Sequence, residues 1–153
     1  MRAFTERGGW WVVAQVMLFV LIGGCWLIWS YDWGPLAVGT GYPVAVAGAV
    51  LAVWGVLALG GNLTPYPSPK SDAELIERGP YRVVRHPIYG GIVIGAAGIS
   101  LADGNAGALT FTLGLLILFL GKSEFEEERL LRRFPAYASY RLRVRTRLIP
   151  WVI

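Results

Sequence analysis

His86 is the only histidine in this 153-residue chain, and it lies between an arginine and a proline in Gly79-Pro80-Tyr81-Arg82-Val83-Val84-Arg85-His86-Pro87-Ile88-Tyr89-Gly90-Gly91. A second polar cluster follows some 35 residues later, Lys122 and then Glu124-Phe125-Glu126-Glu127-Glu128. The first cluster supplies guanidinium, imidazole and phenol groups; the second supplies an ammonium and carboxylates. Brought together, they would offer charge-assisted hydrogen bonds to both ends of a zwitterionic small molecule bearing an ammonium and a carboxylate. Each cluster also has a structural reading. A single histidine at a membrane boundary commonly packs or hydrogen-bonds, and a glutamate run commonly forms a solvated helix face. Lys122 and Glu126 are four residues apart, a pairing worth about 0.2–0.5 kcal/mol, but lysine before glutamate is the less favourable order, so helix stabilisation alone is a poor reason for it.

Other chemistries are excluded. One histidine and one cysteine, with Cys25 inside an apolar run, do not make a zinc or haem site. No glycine-rich phosphate loop and no Gly-x-Ser-x-Gly elbow occurs. The net charge of +4 is not arranged as basic residues interleaved with stacking aromatics on a soluble scaffold, so nucleic acid is not an expected partner.

The elements that must position these clusters are apolar. Hydrophobic residues make up 55% of the chain and charged residues 16%, against about 25% charged in soluble domains. Trp10 to Ser30 is uncharged and about as long as the ~20 residues a membrane helix needs. It exceeds the roughly 7–15-residue core of a signal peptide and has no small-x-small cleavage site after it. Gly41 to Gly61 is a second such run, in which Gly48, Ala52 and Gly55 recur at a spacing that permits close helix approach. Ile88 to Ala102 and Ala106 to Gly121 are shorter runs split by Asp103-Gly104-Asn105, and fit a tight helical hairpin. Trp10, Trp11, Trp29, Tyr31, Trp33 and Tyr42 sit at run ends like an interfacial belt. The expected fold is all-α: one integral membrane domain of about four transmembrane helices, followed by a charged helix over 122–134.

Between the second and third runs, Pro65, Pro67 and Pro69 alternate in an extended strap, and 72–77 is expected to make a brief helical turn. Four crossings put residues 1–9, 62–87 and 122–153 on one side, and these hold all 14 lysines and arginines. The positive-inside rule makes that side cytoplasmic, with both termini there, in the cell membrane. The Asn62-Leu63-Thr64 sequon is then on the wrong side for glycosylation. The terminal arginines Arg141, Arg143, Arg145 and Arg147 are placed to meet anionic lipid heads at about 1 kcal/mol each. Both polar clusters fall at the same end of the last two helices.

The ordered set Gly79-Pro80-Tyr81-Arg82-x-x-Arg85-His86-Pro87-x-Tyr89-x-Gly91, then Glu126-Glu127-Glu128-Arg129-Leu130, Phe134-x-x-Tyr137-x-x-Tyr140 and Leu148-Ile149-Pro150, resembles the isoprenylcysteine carboxyl methyltransferase and phospholipid methyltransferase group over residues 62–151. That resemblance implies an integral membrane enzyme that uses S-adenosylmethionine and lacks a soluble nucleotide-binding domain. It implies cofactor contacts from Ala73, Glu74, Leu75, Ile76, Tyr81, His86, Pro87, Ile88, Tyr89, Lys122 and Glu126, with Glu127 the alternative in a glutamate run whose register is open by one. It makes Arg85, His86 and Glu126 the candidate catalytic residues, with Arg85 orienting an anionic acceptor and His86 positioning the methyl donor. The resemblance implies a lipophilic acceptor that enters from the lipid; a prenylated-protein carboxylate, a phospholipid amine, an isoprenoid and another lipophilic small molecule are equally open. The competing readings are an NADPH-dependent sterol-type reductase, which shares a related architecture, and a membrane module without a cofactor.

Overall fold

The computed structural model describes residues 2–70 and 72–153 and is helical, with no strand among them. Six α-helices follow in order: α1 (Arg2–Glu6), α2 (Gly9–Ile28), α3 (Pro35–Leu59), α4 (Pro87–Ala102), α5 (Ala106–Arg133) and α6 (Tyr137–Arg143). Three of them, α2, α3 and α5, are long and apolar enough to cross a membrane. The 16 residues of α4 reach about 24 Å at 1.5 Å per residue, short of a typical ~30 Å hydrocarbon core. The four long helices run alternately up and down as an arc, α3 against α4, α4 against α5 and α5 against α2.

The element ends follow local chemistry. Pro35 at the first turn and Gly34 at φ 86° start α3 six residues before the expected Gly41, since proline costs nothing where the backbone N–H has no helical partner. The helix also runs through Pro43. At the hairpin, Gly104 takes φ 60° and Asn105 Oδ1 accepts the Ala108 N–H at 2.9 Å, capping α5. The Asn105 amide also donates to Cys25 O at 2.8 Å and so ties the hairpin to α2.

The helix expected over 122–134 is not a separate element. It continues α5 without a break from the apolar run, because residues 121–133 contain no glycine or proline after Gly121, and it ends before Pro135. The expected helical turn at 72–77 does not form. Residues 73–77 form no regular element and are held where Asn62 Nδ2 donates to Glu74 O at 3.0 Å and Asn62 Oδ1 accepts the Glu74 N–H at 3.4 Å.

Close approach of α3 and α4 rests on glycine. Gly41, Gly48 and Gly55, seven residues apart, are the buried positions of α3. A Cβ on Gly41 would lie 2.7 Å from Gly98 O, one on Gly48 2.6 Å from Gly91 O, and one on Gly55 2.8 Å from Ile88 Cγ1. Backbones this near gain van der Waals contact that lipid chains do not compete for.

Candidate functional site

A cavity of about 450 Å³ opens at the end of the bundle where α4 starts and the polar half of α5 stands. Ordinary small-molecule sites span roughly 300–1,000 Å³. Of the residues expected at the cofactor site, Ala73, Glu74, Leu75, Ile76, Tyr81, His86, Ile88, Tyr89, Lys122 and Glu126 line it, as does Arg85, expected as a catalytic residue. Pro87 does not; it is buried as the first residue of α4, where it fixes the entry of the helix.

The two glutamates left open by register have different places. Glu126 lines the cavity, and its Oε2 accepts the Tyr89 phenol at 2.8 Å. Glu127 faces the other way and is 2% exposed. Its Oε1 accepts Arg85 Nε at 2.8 Å and lies 3.2 Å from His86 Nε2. A carboxylate flanked by a guanidinium is acceptor-only, so His86 carries its proton on Nε2. His86 Nδ1 is 3.9 Å from Glu126 Oε2. The imidazole therefore hydrogen-bonds a structural glutamate and stands beside a cavity glutamate.

Arg85 is committed to structure. Besides Glu127, it donates from Nη1 to Val144 O at 2.6 Å and Arg145 O at 2.7 Å. The adjacent backbone pairs with the same segment, Arg85 N–H with Thr146 O at 3.1 Å and His86 N–H with Arg147 O at 2.8 Å. Leu148, fully buried, lies so close to Gly90 that any Cβ there would strike its carbonyl. The segment 144–148 thus clasps the first turn of α4 from outside the cavity. Glu127 also has Arg141 and Arg147 at 3.7 Å each, so a carboxylate costly to bury alone is surrounded by cations.

Aromatic rings form a continuous wall. His86 and Tyr89 are parallel at 5.4 Å between centroids, and Tyr89 stacks on Phe119 at 4.6 Å. The Lys122 ammonium, 2% exposed, sits 5.1 Å from the centre of the Tyr89 ring, within cation–π range. It donates to Gln15 Oε1 at 2.6 Å and Pro65 O at 3.2 Å. Tyr81 and Tyr140 close the base, the Tyr140 hydroxyl donating to Tyr81 O at 2.7 Å. Burial first, and the Glu126 charge second, holds the Tyr81 phenol well above its ordinary range, and burial does the same at Tyr140, so both are neutral donors at physiological pH.

This cavity places a cation and a carboxylate, Lys122 and Glu126, one helical turn apart in an aromatic, largely apolar enclosure. A family model for phospholipid methyltransferases matches residues 36–137, about two thirds of the chain and all but the N-terminal and C-terminal walls of the site. The chain belongs to the phospholipid methyltransferase family. A curated relative, the nickel-cobalt-cadmium resistance protein NccN of Alcaligenes xylosoxydans xylosoxydans, is 30% identical over 136 residues, 87% of this chain. The chain spans 59% of that relative's length.

Family membership and the helix lengths together make this a membrane protein of methyltransferase descent. Several cavity residues were not singled out in the sequence. Asn62 stands in a discarded sequon, yet its amide clamps Glu74. Gln15 is the one carboxamide or charged residue in the apolar helix α2, a signal available from the sequence. Leu59 and Ile92 carry no polar signature and are cavity residues only by packing.

Proposed function

We propose that the protein is a membrane methyltransferase that binds S-adenosylmethionine in this cavity and methylates a lipophilic acceptor. The observation that carries the reading is the opposed pair Lys122 and Glu126 lining one aromatic cavity in a chain of this family. When bound, S-adenosylmethionine supplies an electrophilic methyl group on a sulfonium and leaves as a neutral thioether. The donor set suits its charges: Glu126 takes the ammonium, Lys122 the carboxylate, and the segment 73–76 with the His86–Tyr89 face takes the nucleoside.

Methyl transfer needs alignment and charge placement more than covalent help. Glu126 is fixed for that purpose by the Tyr89 hydroxyl, and His86 is fixed by Glu127, which makes His86 a positioning residue for the cavity rather than a proton shuttle. Arg85, bonded to Glu127 and two carbonyls through Nε and Nη1, holds the wall in place. Leu59, Ile88 and Ile92 give the cavity an apolar lining suited to a lipid-like acceptor. The basic end of the bundle, with all 14 lysines and arginines, is assigned to the cytoplasm on charge.

The test is transfer of labelled methyl from S-adenosylmethionine into the lipid-extractable fraction of membranes containing the protein. Label is expected with the native protein and not with Glu126→Gln. Equal labelling by both would place the chemistry elsewhere.

A further inference from the structure

Gln15 is the sole contribution of α2 to the cavity, and it lies outside the residues 36–137 that the family model covers. Within α2 (GWWVVAQVMLFVLIGGCWLI) every other side chain is apolar, aromatic or absent, apart from the thiol of Cys25. A carboxamide in such a helix is costly unless it is hydrogen-bonded. Its partner is specific: Oε1 accepts from Lys122 Nζ at 2.6 Å, across 107 residues of sequence. Lys122 gives a second proton to Pro65 O on the proline strap at 3.2 Å. An ammonium has three N–H donors, so one remains for the cavity that both residues line. A lysine on a flexible four-carbon stem is a poor fixed donor by itself. Two acceptors on two different elements fix the ammonium and so set the direction of the third donor.

We infer that Gln15 is a positioning residue: by holding Lys122, it makes the cavity selective for ligands that carry a carboxylate at the Lys122 end. The inference rests on the proposed methyltransferase reading and adds to it a determinant on the first long helix.

The experiment is calorimetric titration of detergent-purified protein with S-adenosylhomocysteine and with its decarboxylated analogue, which keeps the ammonium and the nucleoside. The native protein is expected to prefer the carboxylate-bearing ligand by about tenfold or more, the factor that 1.4 kcal/mol represents. In Gln15→Glu, nearly the same size, the new carboxylate pairs with Lys122; affinity for S-adenosylhomocysteine is expected to fall while that for the analogue stays, so the preference is lost. Gln15→Met is expected to lose it too. A preference unchanged in both variants, or an equal fall for both ligands, overturns the inference and leaves the methyltransferase reading standing. If the Gln15 variants do not fold, Lys122→Met decides: retention of the preference there overturns it equally. A native protein that binds neither ligand removes the methyltransferase reading and this inference together.

Discussion

The Tyr89 hydroxyl donates to Glu126 Oε2 at 2.8 Å, joining the first turn of α4 to the polar half of α5 across the cavity wall. Those two residues are 37 positions apart, and they meet because Asp103-Gly104-Asn105 folds α4 and α5 into a hairpin whose open end carries both. Hydrogen bonds to charged groups contribute about 1.5–3 kcal/mol. Tyr89→Phe is therefore expected to weaken S-adenosylhomocysteine binding by about tenfold, with the helices intact by circular dichroism. Glu126→Gln, which removes the charge itself, is expected to weaken it further. Calorimetry on the two variants checks the order.

Glu127 gives a contrasting expectation. It does not line the cavity, but Arg85, His86, Arg141 and Arg147 all face it. Removing one partner of a buried ion pair typically costs about 3–5 kcal/mol. Glu127→Leu is expected to lower the melting temperature in detergent and to expose 144–148 to protease. Arg85→Met combined with Glu127→Leu is expected to cost less than the sum of the two singles, because neither charge is then left alone.

The glycine seam predicts a stability pattern independent of ligand. A methyl group on Gly48 or Gly98 meets the facing helix backbone, and neither backbone can yield without separating α3 from α4. Gly48→Ala and Gly98→Ala are each expected to cost about 1–3 kcal/mol. Gly23→Ala and Gly39→Ala, with nothing within 4 Å of the new methyl, are expected to be neutral or slightly stabilising. Thermal unfolding of the four variants separates the pairs.

Gly90 links packing to function. Alanine there would drive a methyl group into the Leu148 carbonyl, and 144–148 holds Arg85 and His86 through their backbone N–H groups. Gly90→Ala is expected to free that segment and to lose cofactor affinity, although Gly90 touches no ligand. Limited proteolysis and titration of the same sample check both effects.

The helices and the meeting of the two polar clusters were legible in the sequence because hydropathy, length and the hairpin signal act locally. The seam was partly legible: small residues at close-approach spacing are visible, but which of them face each other, Gly41 with Gly98 and Gly48 with Gly91, depends on the approach of α4. The choice between Glu126 and Glu127 was not legible. Adjacent helix positions differ by about 100° in direction, and which of them meets Arg85 depends on the rotation of α5 against α4. The clasp of 144–148 was hidden for a related reason, since its contacts are backbone pairs with residues some 60 positions earlier. The turn expected at 72–77 failed because Asn62, outside that window, supplies the partners for Glu74's backbone.

The most direct test of the central claim is calorimetric titration of the purified native protein with S-adenosylhomocysteine, with NADPH as the comparison. The account predicts saturable one-site heat with S-adenosylhomocysteine, weakened more than tenfold in Glu126→Gln, and none with NADPH. Heat with NADPH and none with S-adenosylhomocysteine would contradict it and assign the cavity to a reductase.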